Sequence, residues 1–418
     1  MSPAHAKHLV ILSIVVTLLA PRAAIAQTSD FSRLSLEQAV ARALERNPVV
    51  VESMLESRRA QGAADGVAGI LAENPVVGAE GGVRNDRGLF GNQPSLTLRI
   101  EQPLDLFGQA GTRRQAAGDL VAWSKARFAL ARTEIAARTH MVYLAVQVAG
   151  ARVALDQERL ATARQTAEAL QMRVRLGASS DIDLRMAQAE VGRAEGSLQG
   201  ARALTTRTLL VLRDLLELPA HAAAQPSEAL APPPLTLPAH SGQEDLLAHH
   251  LSVQAVQKRR LAIDSEIARL ERERLPRLSL GLAAERPSNE ERFVGLVFSF
   301  SPALWRRNQG PLAEAHVERE RADFERTTTL AGLERRWAAL CEEQALRLQE
   351  LKAVESTLEN EEAVRTLVRA GWQAGKFDFL RVLLAERSVA DTKQARLDLW
   401  AELWTNVIEM NRLLGQEP

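Results

Sequence analysis

Apolar residues recur at seven-residue intervals along two long stretches of the chain. In the first, Val146, Val153, Leu160, Ala167 and Val174 share one row. In the second, Leu330, Trp337, Leu351 and Leu358 share a row with Gln344, and Leu333, Leu340, Val354 and Val368 share another with Arg347 and Glu361. Two apolar rows three residues apart make the seam of a coiled coil. The polar members of those rows predict a partly wet seam. From Gln109 to Leu176 there is no proline, and Ala, Arg, Leu, Glu and Gln dominate, which favours helix throughout. The pattern predicts a helix of ~65 residues, about 100 Å long, against a globular mean of ~12 residues.

A second period, of two, appears in four short segments. Residues 95–101 and 277–282 alternate polar and apolar without a fault. In 293–300, Val294, Leu296, Phe298 and Phe300 fall on one face and Phe293, Gly295, Val297 and Ser299 on the other. Pro75 to Val83, rich in Gly and Val, is the weakest of the four. Each run approaches the 9–11 residues that a tilted transmembrane strand needs. Residues 84–93 and 286–291, polar and bearing Gly, Asn, Asp and Pro, predict the loops between them. Four strands cannot close a membrane barrel, because the smallest have eight and an open edge leaves backbone groups unpaired in lipid. Two chains would give eight strands, too narrow for a channel; three would give twelve, enough to enclose a pore. The competing reading is a soluble pair of hairpins capping a helical bundle.

The chain also reads twice. A Pro-rich stretch at 219–241 divides it, and the halves correspond at an offset of 198: Gly177 with Gly375, Ala187 with Ala385, Leu215 with Leu413. Each half runs helix, strand, strand, very long helix, glycine break, long helix. The domains read as 1–26, a signal peptide; 27–218, the first repeat; 219–241, the linker; and 242–418, the second repeat. Lys7, the apolar run Leu9–Ala20 and Ala24-Ile25-Ala26 carry the signal-peptide pattern, with cleavage before Gln27. Twelve apolar residues span only about 18 Å as a helix, too short for a ~30 Å hydrocarbon core.

Composition narrows the chemistry. Loss of Lys7 and Arg22 takes 52 basic residues to 50 against 52 acidic ones, a net charge of −2. Nothing in that balance points to nucleic acid. Cys341 is the single cysteine, so no intramolecular disulfide forms; it reads as a small buried hydrophobe. No phosphate loop, metal-ligand spacing or nucleophile motif stands out, so neither a catalytic residue nor a cofactor or metal site is expected. His221, His240, His249 and His250 lie in or after the linker at irregular spacing and read as solvated. Glu342-Glu343 and Glu361-Glu362 are adjacent on a helix and do not face one another.

Short motifs follow these elements in order. Residues 34–39, Leu-Ser-Leu-Glu-Gln-Ala, precede Arg46-Asn47-Pro48, with Ser35 and Gln38 spaced as a capping box. Ala72 to Pro75 enters the first strand, residues 101–108 (Glu-Gln-Pro-Leu-Asp-Leu-Phe-Gly) leave the second, and Ser299 to Pro302 with Arg307 to Gly310 forms the counterpart. Over the whole mature chain this order resembles the TolC family of outer-membrane efflux proteins, and is closest to the heavy-metal, CzcC-like branch.

The resemblance implies a mainly α protein with a small β part, and a transport channel rather than an enzyme. It implies a homotrimer in outer-membrane lipid, with a 12-stranded barrel and a coiled-coil helical barrel crossing the periplasm. The implied partners are a periplasmic adaptor and an inner-membrane resistance–nodulation–division pump. The implied cargo is heavy-metal cations; drug efflux and protein secretion through the same duct, or a periplasmic coiled-coil adaptor, are the alternatives. On the barrel, Leu96, Leu98, Ile100, Leu278, Leu280 and Leu282 face lipid, and Thr97, Arg99 and Glu101 face the lumen. The breaks at Gly177 and Gly375, with Ser180 and Asp378 as caps, resemble the family's periplasmic tips. There Asp181, Asp183, Phe377, Asp378, Phe379, Arg381 and Leu384 become gate candidates. Family members carry carboxylates six and nine residues after the tip glycine. Asp183 fits; Arg381 and Leu384 do not, which suggests a gate of Asp183 with Arg381. Position 27 is Gln where many branch members have a lipidated cysteine, and aromatics are scarce, leaving Phe107 and Trp305 as interface anchors.

Overall fold

A computed structural model describes residues 33–69, 73–86, 91–235, 250–287, 292–305 and 307–415. The signal peptide, Gln27, Ala72, His240 and His249 lie outside the described residues, as do parts of both strand-connecting loops. In chain order the elements are β1 (Arg33–Leu34), α1 (Leu36–Arg46), α2 (Pro48–Gly66), β2 (Val76–Asp86), β3 (Gly91–Leu104), α3 (Gln109–Arg175) and α4 (Asp181–Leu215). Then come β4 (Gln225–Pro226), α5 (Leu251–Arg272), β5 (Arg277–Pro287), β6 (Phe293–Ser301), α6 (Gln309–Gln373) and α7 (Phe379–Leu413).

The two rods are α3, of 67 residues, and α6, of 65. At 1.5 Å per residue each is about 100 Å long. Pro311 falls in the first turn of α6, where a missing N–H costs nothing. Each rod folds back on a 35-residue partner, α3 on α4 and α6 on α7. The heptad rows face these partners. Leu160 and Ala163 pack on Ala194 and Leu198, and Trp337 and Leu340 pack on Met410 and Leu413. Leu351 meets Leu399 and Leu403.

One polar member of the seam departs from expectation. Gln344 is fully buried rather than wet, and neither amide atom is hydrogen-bonded. The chain on either side is fixed by large apolar neighbours, and their packing carries Gln344 inward. Arg347 does reach water, and pairs with Glu350 at 2.9 Å and Glu402 at 3.0 Å.

The end of α4, α1 and the middle of α3 meet around Tyr143, which is 2% exposed and donates to the Leu34 carbonyl at 2.9 Å. Burial pushes this phenol up from its ordinary pKa. Asn47 caps α2 and also donates to the Leu215 carbonyl, locking the chain entry to the first hairpin. His250 corrects the solvated reading of the linker histidines. It is buried, its ring caps α5 by accepting from the Ser252 amide, and its other nitrogen meets the Arg412 carbonyl at 3.2 Å. The cause is position: His250 directly precedes α5, where the first amides need an acceptor. Burial holds it below its usual pKa. His221 is exposed. Cys341 is half-buried, and burial raises its thiol pKa. Among the described residues no helix is long and apolar enough to cross a membrane.

Candidate functional site

The four long strands form one antiparallel sheet in the order β2-β3-β5-β6. The register puts Ala79 opposite Leu98, Leu98 opposite Ala284, and Ala284 opposite Val294. Likewise Val77, Ile100, Leu282 and Leu296 run across all four strands in one row. The period of two thus adds up strand by strand, and one face of the sheet is apolar from edge to edge. That face is bare: Val77 is 73% exposed, Leu98 51% and Leu296 78%. Contiguous exposed apolar area of this kind marks an interaction surface for protein or lipid.

The opposite face is polar and internally bonded. Thr97 lies between Glu80 and Glu285, and Glu101 opposite Gly281. Arg99 pairs with Glu80 at 3.0 Å. Glu101 accepts from Ser279 at 3.1 Å and from Ser299 at 2.7 Å. Below the sheet, at the start of α3, Arg113 sits within 3.7 Å of Glu73 and Glu273 and 3.5 Å of Asp105. Phe107 and Trp305, just past the strand exits, are 40% and 84% exposed.

At the far end of the rods the two hairpin turns have the same geometry. Gly177 and Gly375 take φ of 70° and 73°, a left-handed conformation that favours glycine. The amide of Ala178 bonds back to Arg173 and that of Gly177 to Val174; Lys376 and Gly375 repeat this with Gly371 and Trp372. Both are Schellman endings. Ser180 then caps α4 in a capping box with Asp183, and Asp378 caps α7 by accepting from the Arg381 amide. Asp181 lies in the first turn of α4, where negative charge suits the helix dipole. Phe377 covers the α-carbon of Gly371, where an added Cβ would strike the ring. Phe379 is 4% exposed and belongs to the core joining the tips, with Leu170, Ala187, Trp372, Val382 and Leu383. Leu384 is 56% exposed.

Within one chain Asp183 and Arg381 are not partners. The Asp183 carboxylate is held by Ser180 at 2.8 Å. Arg381 lies 3.7 Å from Asp378 and 5.1 Å over the Phe377 ring.

Two features of this end carry no local sequence signal. Arg173 stacks 4.6 Å over Trp372 and donates to the Trp372 carbonyl at 2.9 Å, tying one tip to the other. About three turns along α4 from the tip, Glu190 is 7% exposed and meets three arginines: Arg159 at 3.1 Å, Arg387 at 2.6 Å, and Arg193. This carboxylate on α4 joins α3 to α7. A cavity of about 60 Å³ lies beside it, lined among others by Arg159, Glu190, Phe379 and Arg387. Among the described residues no cluster of His, Cys, Asp and Glu is placed to hold a metal ion.

A sheet with one bare apolar face, carried on helical hairpins whose long arms reach about 100 Å, leaves a surface that lipid or protein would cover. Residues 39–217 match the family described as outer membrane efflux protein. Over those residues the chain is similar to outer-membrane efflux proteins. It is 26% identical over 330 residues, 77% of each chain, to the cobalt-zinc-cadmium resistance protein CzcC of Cupriavidus metallidurans. In fold it is similar to CusC, with a TM-score of 0.77 and 16% identity over 93% of both chains. It is likewise similar to the outer membrane protein VceC of Vibrio cholerae, with a TM-score of 0.76 and 18% identity over 91% of this chain and 96% of that one.

Proposed function

We propose that three copies of this chain form the exit duct of a tripartite efflux system. The observation that carries this reading is the sheet. Its apolar face is continuous over four strands, while β2 and β6 each have one paired neighbour and one outer edge. Pooling three sheets satisfies those edges and yields twelve strands, with Leu96, Leu98, Ile100, Leu278, Leu280 and Leu282 toward lipid. Two repeats, 27–218 and 242–418 joined by 219–241, then give each chain two hairpins. Six hairpins make the periplasmic tunnel. The likeness to CzcC supports heavy-metal cations as cargo, delivered through a periplasmic adaptor from a resistance–nodulation–division pump. Outer membranes extracted in detergent and run without boiling should show a band at three times the chain mass, collapsing on boiling. A monomer under both conditions would rule the pooled barrel out.

The tips would form the closed end. Asp183 of one copy and Arg381 of the next are proposed to pair there; Arg381 is exposed and Asp183 half-buried, held by its Ser180 cap. Arg381→Asp replaces that pair with like charges. One exposed pair contributes only about 0–1 kcal/mol, but three copies in a narrow ring add. The variant is expected to conduct more in planar bilayers than wild type, and the double swap Asp183→Arg with Arg381→Asp to restore closure. Equal conductance of Arg381→Asp and wild type would shift the gate to Phe377, Phe379 and Leu384.

A further inference from the structure

Glu101 is built into the sheet in a way that packing alone does not require. It stands on β3 near the helix end, opposite Gly281 of β5. Its side chain extends across β5, and the carboxylate accepts from Ser279 on β5 and from Ser299 on β6. Gly281 makes room for this crossing. A Cβ there would fall on the Ile100 carbonyl oxygen and 2.8 Å from the Glu101 Cγ. One carboxylate is therefore positioned by three strands, two hydroxyls and an obligatory glycine.

Its electrostatic surroundings are also distinct. On the same face Arg99 pairs with Glu80 at 3.0 Å, and its charge also reaches Glu101 without bonding to it. Arg277 at the base of β5 reaches Glu73, at 3.7 Å. Among the described residues no ammonium or guanidinium lies within ion-pair distance of Glu101, and its hydrogen-bond partners Ser279 and Ser299 are neutral hydroxyls. A hydroxyl fixes a carboxylate in place without cancelling its charge.

We infer that Glu101 is a charge-selecting residue: three copies form a fixed anionic ring at the helix-side mouth of the barrel that favours cations over anions. The inference rests on the three-copy duct reading and adds the charge class of the cargo from this chain's own residues. Rings of charged side chains discriminate ions by sign. Their reach is set by screening, about 10 Å at ~0.1 M salt and about 3 Å at ~1 M.

The experiment uses the full-length oligomer in planar bilayers, with potassium chloride as the probe. Reversal potentials are read in a salt gradient for wild type, Glu101→Gln and Glu101→Asp. Glutamine keeps the shape and can still accept from both serines, but loses the charge. Wild type should prefer potassium near 0.1 M, and Glu101→Gln should lower the cation-to-anion permeability ratio at least ~2-fold, with the difference fading near 1 M. Glu101→Asp should hold the wild-type ratio. A purely structural role would alter conductance at both salt concentrations and leave the ratio alone. Should Glu101→Gln fail to assemble, Ser299→Lys sets an ammonium against the same carboxylate and should lower the ratio equally. An unchanged ratio at low salt in whichever variant assembles overturns the assignment. Wild type without channel steps overturns the duct reading itself.

Discussion

Arginine at Leu98 is expected to cost about 2–4 kcal/mol per chain and to stop barrel assembly, whereas arginine one residue earlier, at Thr97, should leave assembly intact. Leu98 lies mid-sheet on the bare face, with Ala79 and Ala284 as cross-strand neighbours. No carboxylate stands beside it, and in a lipid-facing position a guanidinium there meets hydrocarbon. Thr97 points the other way, and its cross-strand neighbours are Glu80 and Glu285. An arginine at 97 enters a polar surface with acceptors on both sides, where opposite charges across strands favour pairing. The chemical change is the same, and only the parity of the position differs. The yield of unboiled oligomer in outer membranes measures both. Equal yields would mean that the two faces do not divide lipid from water.

Parity and period were the parts of this fold legible in the sequence. A period of two needs only a few consecutive residues, and it was plain at 95–101 and 277–282 and weakest at 75–83; the register then brings the apolar sets onto one face. The period of seven was readable because rods about 100 Å long repeat it many times. Caps were readable for a similar reason. Ser35 with Gln38, Ser180 with Asp183, and Asp378 each act within three residues. Glycine at the tips follows from local sterics, since a left-handed residue closes both Schellman endings.

What joins the hairpins was not legible. Glu190 and Arg387 are 197 positions apart, and Arg173 and Trp372 are 199. Charged residues make up a quarter of the chain, so a heptad pattern offers many alternative pairings of equal plausibility. Burial decides among them, and burial depends on how the two hairpins dock. Gln344 misleads in the same way. A polar residue in a seam suggests water, yet large apolar neighbours before and after it bury the amide completely. The linker's composition masks the place of His250 at the start of α5, where an acceptor is needed.

The Glu190 cluster therefore makes the sharper test of how the hairpins are held. Glu190→Ala is expected to destabilise the helical part by about 3 kcal/mol, the lower end of what removing one member of a buried ion pair costs. The lower end applies because the three arginines reach water. Their side chains are 26% (Arg159), 53% (Arg193) and 35% (Arg387) exposed, against 10% for Glu190. The loss is large because one carboxylate serves three guanidiniums. Its removal leaves like charges facing one another across α3, α4 and α7 beside a mostly apolar cavity. The reverse deletion is not equivalent. Arg387→Ala leaves Glu190 still paired with Arg159 and Arg193, so it should cost about 1 kcal/mol or less, as a partly exposed pair does. Combining them separates repulsion from lost attraction: with Glu190 gone, removing Arg387 relieves like charge, so the double variant should be more stable than Glu190→Ala alone. Thermal denaturation of the detergent-solubilised oligomer, followed by circular dichroism, ranks all three. If Glu190→Ala and Arg387→Ala lower the transition equally, the carboxylate is one surface partner among several, and the docking of the two hairpins rests on the apolar contacts of Leu170, Trp372 and Phe379.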